Sequence, residues 1–189
     1  MKRLAFFLVL LLPSLLHAQA SDLSTQQRFI SDGLVRLHLE AGGYTVAPND
    51  SDNIVVSWHT SRPVKVEIKP SGNRADVYVR DTPHNNFQAT IEIPRRSNLW
   101  ARLSAGELVV EGVDGDKNLE VLAGRIQVDV PHAQDYGHRD ASVTAGSIEA
   151  SAFEISKGGL FRSFDQEGPG KYRLHAHVMT GEIDFRGSE

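Results

Sequence analysis

The chain has 189 residues, of which 40% are hydrophobic, and its 20 Lys and Arg residues stand against 24 Asp and Glu residues. The formal net charge of −4 argues against nucleic acid as a partner, because nucleic-acid-binding domains carry a basic surface. No cysteine occurs, so the chain has neither a disulfide nor an acceptor thiol for a lipid anchor, and its stability must come from packing and hydrogen bonds.

The first segment, MKRLAFFLVLLLPSLLHAQA over residues 1–20, has the layout of a secretory signal peptide. Two basic residues precede an apolar run over 4–16, which is too short to cross ~30 Å of hydrocarbon as an ordinary membrane helix. Ala18 and Ala20 supply the small side chains that a signal peptidase needs, so cleavage is predicted after Ala20. The sequence therefore predicts export from a Gram-negative bacterial cytoplasm to the periplasm or the cell exterior, with no transmembrane span.

The mature chain divides into a leader or cap segment, residues 21–33, and a single domain over 34–187. The leader is compatible with a short helix over 24–32 or with flexible chain, and a cap would protect an exposed sheet end from aggregation. Strands are predicted next in LVRLHLE, NIVVSWHT, PVKVEIKP, ADVYVRD and FQATIEIP. In each run, apolar and polar residues alternate, and Pro, Gly, Asn or Asp residues bound the run. These runs lack the glycine motif that follows further along the chain.

A motif returns four times in the C-terminal half, as RLSAGELVVEG, EVLAGRIQVDV, SVTAGSIEASA and HVMTGEIDFRG. Each copy carries an aliphatic residue three positions before its glycine and another two positions after it, with mostly polar residues between. This period of two predicts strands with one buried face. The motif glycines are Gly106, Gly124, Gly146 and Gly181. We predict them at turns, where the backbone needs a positive φ or a close approach to the next copy.

Repetition of this kind predicts an all-β, single-domain β-solenoid, a parallel β-helix-like stack of short strands with glycine turns. A unit of about 20 residues cannot bury its apolar face alone, so the copies must stack with equivalent residues in ladders. The wide gap before the last glycine leaves room for one degraded coil, predicted in FEISKGGLFRSF. An antiparallel β-sandwich is the alternative, although it does not require a motif to return in register.

The run ATIEIPRRSNLWARLSAGELVVEGVDGDKNLEVLAGRIQVDV resembles the bacterial putative adhesin domain family, an envelope-associated family of unknown biochemical function. The resemblance extends over 34–187, including the tail GGLFRSFDQEGPGKYRLHAHVMTGEIDF. It implies a β-solenoid outside the cytoplasm, and the family brings no agreed catalytic residues. The residues that match its pattern of prolines and glycine turns are Pro94, Gly106, Gly112, Gly115 and Gly124.

Histidines are the candidate metal ligands, although the sequence predicts no metal site and no cofactor. His175 and His177 are two residues apart and share one face of a strand, which is how two imidazoles can meet one ion. His132 and His138 lie with two aspartates in the loop-like segment PHAQDYGHRD. A polar strand face and a polar loop are the favoured interpretations, because a third ligand would have to come from a neighbouring copy.

No catalytic residues are predicted, because neither a nucleophile motif G-x-S-x-G nor a phosphate loop occurs. Stacked copies would place Glu107 beside Arg125, a complementary ladder on the surface. They would also place Glu111 beside Asp129, a like-charged pair that water and salt would screen.

The segment PRRSNLW joins Arg95 and Arg96 to Trp100, and this combination can hold an acidic glycan or a lipid headgroup through charge and stacking. A charged corner with Trp100 in the core is favoured over that interpretation. The sequence as a whole predicts a non-enzymatic envelope protein for adhesion to, or interaction with, glycan or protein. A carbohydrate-active β-helix enzyme and a metal-binding envelope protein are the alternatives.

Overall fold

The computed structural model describes residues 21–83 and 86–187, so the signal peptide predicted over 1–20 lies outside the described residues. The all-β prediction is confirmed: twelve strands form one sheet that does not close on itself. No helix within the described ranges is long and apolar enough to span a membrane. The strands are β1 (Ser21–Arg28), β2 (Leu34–Leu39), β3 (Gly42–Asn49), β4 (Asn53–Thr60), β5 (Lys65–Ser71), β6 (Arg74–Arg80), β7 (Gln88–Pro94), β8 (Asn98–Val110), β9 (Lys117–Val130), β10 (Tyr136–Ala150), β11 (Ile155–Glu167) and β12 (Tyr172–Gly187).

The four motif strands are parallel neighbours with their glycines in one row. The order across the sheet is β8, β9, β12 and β10, and Gly106, Gly124, Gly181 and Gly146 are register partners in that order. Stacking in chain order, which a simple repeat would give, is therefore wrong: the fourth copy of the motif lies between the second and the third.

Strand β11 explains this order. The segment expected to form a degraded coil is instead an antiparallel partner of β10, with Gly159 opposite Gly146. Because β11 occupies one edge of β10, β12 returns along the other edge, where it also pairs with β9. The sheet consequently ends at β11 on this side.

A fifth member of the glycine row comes from upstream, where the sequence pattern predicted no glycine copy. Gly42 is the register partner of Gly106, and β2 and β3 pair in parallel with the first and second halves of β8. The dipeptide Ala41–Gly42 repeats the Ala-Gly of three downstream copies. Strands β2 and β3 together therefore occupy the place of one more copy.

Each motif strand bends at its glycine, which divides the sheet into two limbs. Leu103 and Leu108 are both fully buried although they are five residues apart, a spacing that would place them on opposite faces of a straight strand. We call the part that contains the first halves of the motif strands with β2, β6 and β5 the first limb. The second limb contains the second halves with β3, β7, β4 and β1.

The bend allows only glycine because neighbouring backbones touch there. A Cβ atom added to Gly124 would overlap the carbonyl oxygen of Gly106, and one added to Gly181 would overlap the carbonyl oxygen of Gly124. Gly124 also has φ +139°, a conformation that side chains rarely adopt. The glycine row therefore provides both the positive φ and the close backbone approach that the bend requires.

Inward side chains of both limbs belong to one hydrophobic cluster, as the alternation of the sequence requires. Equivalent motif residues form two aliphatic ladders along the parallel strands, each residue at most 2% exposed. The ladders are Leu103, Val121, Val178 and Val143 in the first limb, and Leu108, Ile126, Ile183 and Ile148 in the second.

The leader segment begins with a strand rather than the helix or flexible chain considered from its sequence. Strand β1 pairs antiparallel with β4 along its whole length, from Ser21 opposite Thr60 to Arg28 opposite Asn53. It forms the edge of the second limb.

Candidate ligand groove

A row of unlike side chains crosses the outer face of the first limb. Each member lies six residues before a glycine of the glycine row, and strand register makes the members neighbours. We call this set the outer row. In order across the sheet, its members are Arg36, Trp100, Asn118, His175 and Asp140.

An open groove of about 770 Å³ lies over the outer row, and all five of its members line the groove. Arg74 of β6 also lines it, as do Asp116 and Arg173, which flank the outer row on the side towards the strand starts. Concave sites with one aromatic side chain and several convergent polar groups are the usual form of small-ligand sites.

Trp100 lies on the outer face, so the favoured prediction that it enters the core is wrong. Its neighbours Leu99 and Ala101 are buried, and the alternation of the strand turns the indole between them outwards. The cation that stacks on the indole is Arg36, whose guanidinium carbon lies 4.7 Å from the ring centroid. The sequence neighbour Arg95 instead pairs with Asp50 at 3.2 Å.

An ion-pair cluster holds the arginines at one end of the groove. The carboxylate of Asp76 lies 3.0 Å from Arg74 and 3.9 Å from Arg36, and its Oδ1 lies 3.4 Å from Nε2 of His38. The imidazole of His38 also stacks on Tyr78, with ring centroids 4.5 Å apart and an angle of 10° between the planes. These contacts fix Arg36 beside Trp100.

The middle of the groove carries polar groups without protein partners. Within the described residues, the side-chain amide of Asn118 and the guanidinium of Arg173 have no hydrogen bond or ion pair to another residue. Asp116 is engaged by the backbone N–H of Arg173, which donates to its Oδ1 at 2.9 Å. Asn118 and Arg173 are therefore available to a ligand.

A buried lysine lies at the floor of the groove. Lys117 is 2% exposed, and its ammonium donates to the carbonyls of Val113 and Gly115 at 2.7 and 3.1 Å and to the hydroxyl of Tyr136 at 2.7 Å. Burial lowers the pKa of Lys117 to about 8, against the opposing effect of Asp114. All three of its hydrogens have acceptors, so Lys117 fixes the β8–β9 loop onto β10.

Two of the four histidines considered as metal ligands contact the same carboxylate, that of Asp140. Nδ1 of His175 lies 2.5 Å from Asp140, and Nε2 of His138 lies 3.4 Å from the same carboxylate. Nδ1 of His177 instead lies 2.8 Å from the Ser142 hydroxyl. His132 is exposed, at the start of a short 3-10 helix, and is not part of this arrangement.

Glu107 and Arg125 are register partners, as expected from stacking. The guanidinium of Arg125 nevertheless contacts carboxylates of the other neighbouring strand, Glu182 at 3.3 Å and Asp184 at 3.1 Å. These groups belong to the second limb and lie outside the groove. Arg125 therefore forms its ion pairs with β12, whereas the predicted ladder paired it with Glu107 of β8.

The outer row was missed by the sequence analysis, although a signal for it was present. Alignment of the copies on their glycines shows aliphatic residues repeating in the inward positions. The position six residues before the glycine instead holds a different polar or aromatic side chain in each copy. A position that varies in chemistry while its register is fixed by the repeat is a candidate for ligand contact.

No protein-family model and no curated protein matches the chain. Among solved structures, a "putative cell adhesion protein" from Clostridium sporogenes is similar over 90% of this chain and 100% of its own, with 10% identity and a TM-score of 0.58. A "putative adhesin" from Parabacteroides merdae aligns over 88% of this chain and 94% of its own, with 10% identity and a TM-score of 0.32. The first similarity shows a common fold, and the second is too weak to support an argument.

Proposed function

We propose that the protein is an exported, non-enzymatic envelope protein whose outer row binds a glycan, on a scaffold of the β-solenoid type. The observation that carries the proposal is the combination, in one groove, of Trp100 with the unpartnered polar groups of Asn118 and Arg173. A role in adhesion is the one named for the Clostridium sporogenes protein that shares the fold.

The spacing of the outer row suits a sugar ring. Trp100 and His175 lie on strands two places apart, which separates their backbones by roughly 10 Å at the usual strand spacing. Asn118 lies between them, and its side chain is shorter than those of Trp100 and His175, which leaves space above it. A ring stacked on the indole needs ~3.5 to 4 Å of carbon–carbon separation, so a pyranose fits above Asn118.

The polar groups complement sugar hydroxyls, which both donate and accept hydrogen bonds. The amide of Asn118 offers two donors and an acceptor, and the guanidinium of Arg173 offers donors in a fixed fork. The aromatic ring adds an apolar surface for the C–H face of a sugar. Together they provide the mixed surface that carbohydrate requires.

The charges along the groove favour a neutral glycan over a polyanion. Arg36 and Arg74 share the carboxylate of Asp76, and Asp116 and Asp140 lie near the remaining guanidinium, Arg173. A polyanion-binding surface would instead show clustered cations without acidic partners. Repetition of weak contacts along a polymer would supply avidity.

A binding role is also supported by the placement of the two carboxylates that line the groove. These carboxylates belong to Asp116 and Asp140. A glycosidase needs one carboxyl group that can donate a proton and a second that acts as base or nucleophile. Each of these carboxylates is already engaged by Arg173 or His175.

Tryptophan fluorescence tests the proposal directly, because the chain contains only Trp58 and Trp100. Trp58→Phe leaves Trp100 as the sole reporter, and we would titrate this variant with cello-, malto- and chito-oligosaccharides and with an oligogalacturonate. The proposal expects a saturable change in emission with at least one neutral oligosaccharide, and no reducing-end cleavage. An unchanged emission across the whole set, from a folded variant, would overturn glycan binding.

The contribution of Arg173 has a matched control on the same face. Arg173→Ala removes groove donors and is expected to weaken the oligosaccharide affinity about tenfold, the effect of one hydrogen bond from a charged group. Arg102→Ala removes an arginine that pairs with Glu120 at 3.7 Å and does not line the groove, so the affinity should not change. Equal losses in the two variants would mean that the groove is not the site.

A further inference from the structure

Five His, Asp and Glu side chains from three strands converge at the β11 end of the outer face. His138 is the register partner of Glu167, and Asp140 is the partner of both Asp165 and His175. We call these five residues the histidine cluster. Two of its members, Asp140 and His175, also belong to the outer row, and metal binding at the cluster does not require glycan binding.

The ligand atoms are already close together. Nδ1 of His138 lies 2.9 Å from the carboxylate of Glu167 and 3.8 Å from that of Asp165, and one ligand atom from each of the three lies within 4.8 Å of the others. Donors bound to one zinc ion at ~2.0 to 2.2 Å are separated by roughly 3.4 Å in a tetrahedron. Small side-chain rotations would therefore close the three donors around an ion.

The second nitrogen of His138 faces a carboxylate as well. Its Nε2 lies 3.4 Å from Asp140, which in turn lies 2.5 Å from Nδ1 of His175. A histidine that ligates a metal through one nitrogen usually donates its other N–H to a carboxylate, which orients the ring and raises its basicity. Asp140 is positioned to accept that hydrogen bond.

The cluster's own side chains carry net negative charge. Three carboxylates face two imidazoles, so the net charge is negative even when both histidines are protonated. Among the described residues, no Lys or Arg forms an ion pair with Asp140, Asp165 or Glu167. By contrast, Asp76 contacts two arginines at the other end of the outer face.

We propose that His138, Asp165 and Glu167 bind a divalent transition-metal ion, with Asp140 orienting His138. The donor set of one imidazole nitrogen and two carboxylate oxygens fits Zn²⁺, and the exposed carboxylates leave its remaining coordination position to solvent. The pair first considered from sequence, His175 and His177, does not form this site, because His177 contacts Ser142.

Calorimetric titration of Zn²⁺ into the chelator-treated protein, produced without a polyhistidine tag, tests the site. We expect one ion per chain, a loss of this binding in His138→Ala, and an affinity about tenfold lower in Asp140→Asn, the usual cost of removing an orienting carboxylate. Glu167→Gln changes a side chain that is 80% exposed, so it should weaken Zn²⁺ binding without disturbing the fold.

His59→Ala is the matched control. Nδ1 of His59 lies 2.8 Å from Asp22 on the exposed surface of β1 and β4, an imidazole–carboxylate pair outside the cluster. Its removal should leave Zn²⁺ affinity and stoichiometry unchanged. Absence of stoichiometric binding, normal binding by folded His138→Ala and Glu167→Gln, or an equal loss in His59→Ala would each overturn the proposal.

Discussion

The inner and outer faces of β8, β9 and β12 have the same register and opposite composition. On the inner face, Leu103, Val121 and Val178 are nearly interchangeable aliphatic side chains in one ladder. On the outer face of the same limb, equivalent positions hold Trp100, Asn118 and His175. The repeat therefore specifies the fold through its constant positions, whereas the candidate binding surface depends on its variable positions.

A charge introduced on the inner face should lower the free energy of unfolding far more than a charge introduced on the outer face of the same strand. Ile126→Asp buries an unpaired carboxylate at a fully buried position and is expected to cost more than about 4 kcal/mol, which unfolds the domain. Gln127→Lys changes the next, outward residue, which faces Asp184 in register, and should cost at most about 0.5 kcal/mol. Urea denaturation of both variants measures the difference. A soluble Ile126→Asp protein with unchanged melting would contradict the ladder.

The next largest effect is expected in the glycine row. Gly124→Ala places a Cβ atom against the Gly106 carbonyl at φ +139°, and the forced separation of two strands should cost about 3 kcal/mol or more. Gly72→Ala is the control, because Gly72 has φ +61° but no atom within 4 Å of the added Cβ. Its cost should be about 1 kcal/mol, from backbone strain alone. Equal midpoints in denaturant would show that close approach is unimportant.

A smaller effect is expected from Lys117, the charged exception on the inner side. Its folded-state pKa of about 8 lies below that of an exposed lysine, so between pH 8 and 9.5 the folded chain releases a proton that the unfolded chain keeps. The free energy of unfolding should therefore rise by about 1 to 2 kcal/mol over this interval.

Lys117→Met should remove that rise in stability with pH. The interval stops at pH 9.5 because burial raises the pKa of Tyr136, which makes the stability fall again once tyrosines ionise in the unfolded chain. Denaturation curves at pH 7.5, 8.5 and 9.5 compare the two proteins. A parallel pH dependence in wild type and variant would exclude Lys117 as its source.

The smallest effect on stability is expected from Trp100. Trp100→Ala should destabilise the fold by about 1 kcal/mol, because the side chain is only partly buried on the outer face. Leu99→Ala, at the preceding inward residue, should cost about 3 kcal/mol. The two variants should rank in the opposite order for their effect on ligand affinity. Trp100→Ala should weaken binding about 30-fold, because it removes a central tryptophan contact. Thermal melts and oligosaccharide titrations of the same two variants test both orders.

Strand content and burial followed from the sequence because they depend on local alternation. The alternation in ADVYVRD, for example, buries Ala75, Val77 and Val79 as the period of two requires. The motif could not specify strand order, because all its copies present similar edges. The insertion of β12 depends on the antiparallel β10–β11 pairing, which is a tertiary choice.

The candidate site was less predictable because it is assembled by register. Trp100 was interpreted together with Arg95 and Arg96, its neighbours in the chain, whereas its neighbours in space are Arg36 and Asn118. His138 similarly gains Asp165 and Glu167 from the end of β11, just after the segment FEISKGGLFRSF that was expected to form a degraded coil. Contacts of this kind follow only once the strand order is known.

Amide chemical-shift mapping of the ¹⁵N-labelled protein, with the neutral oligosaccharide that changes Trp100 emission, tests most directly whether the outer row is the binding surface. We predict saturable shifts concentrated at the outer row and at Arg173, with smaller shifts at the inward residues between them. Shifts concentrated on the second limb, or at the edge strands β1 and β11, with Trp100 and Asn118 unaffected, would contradict the assignment of binding to the outer row.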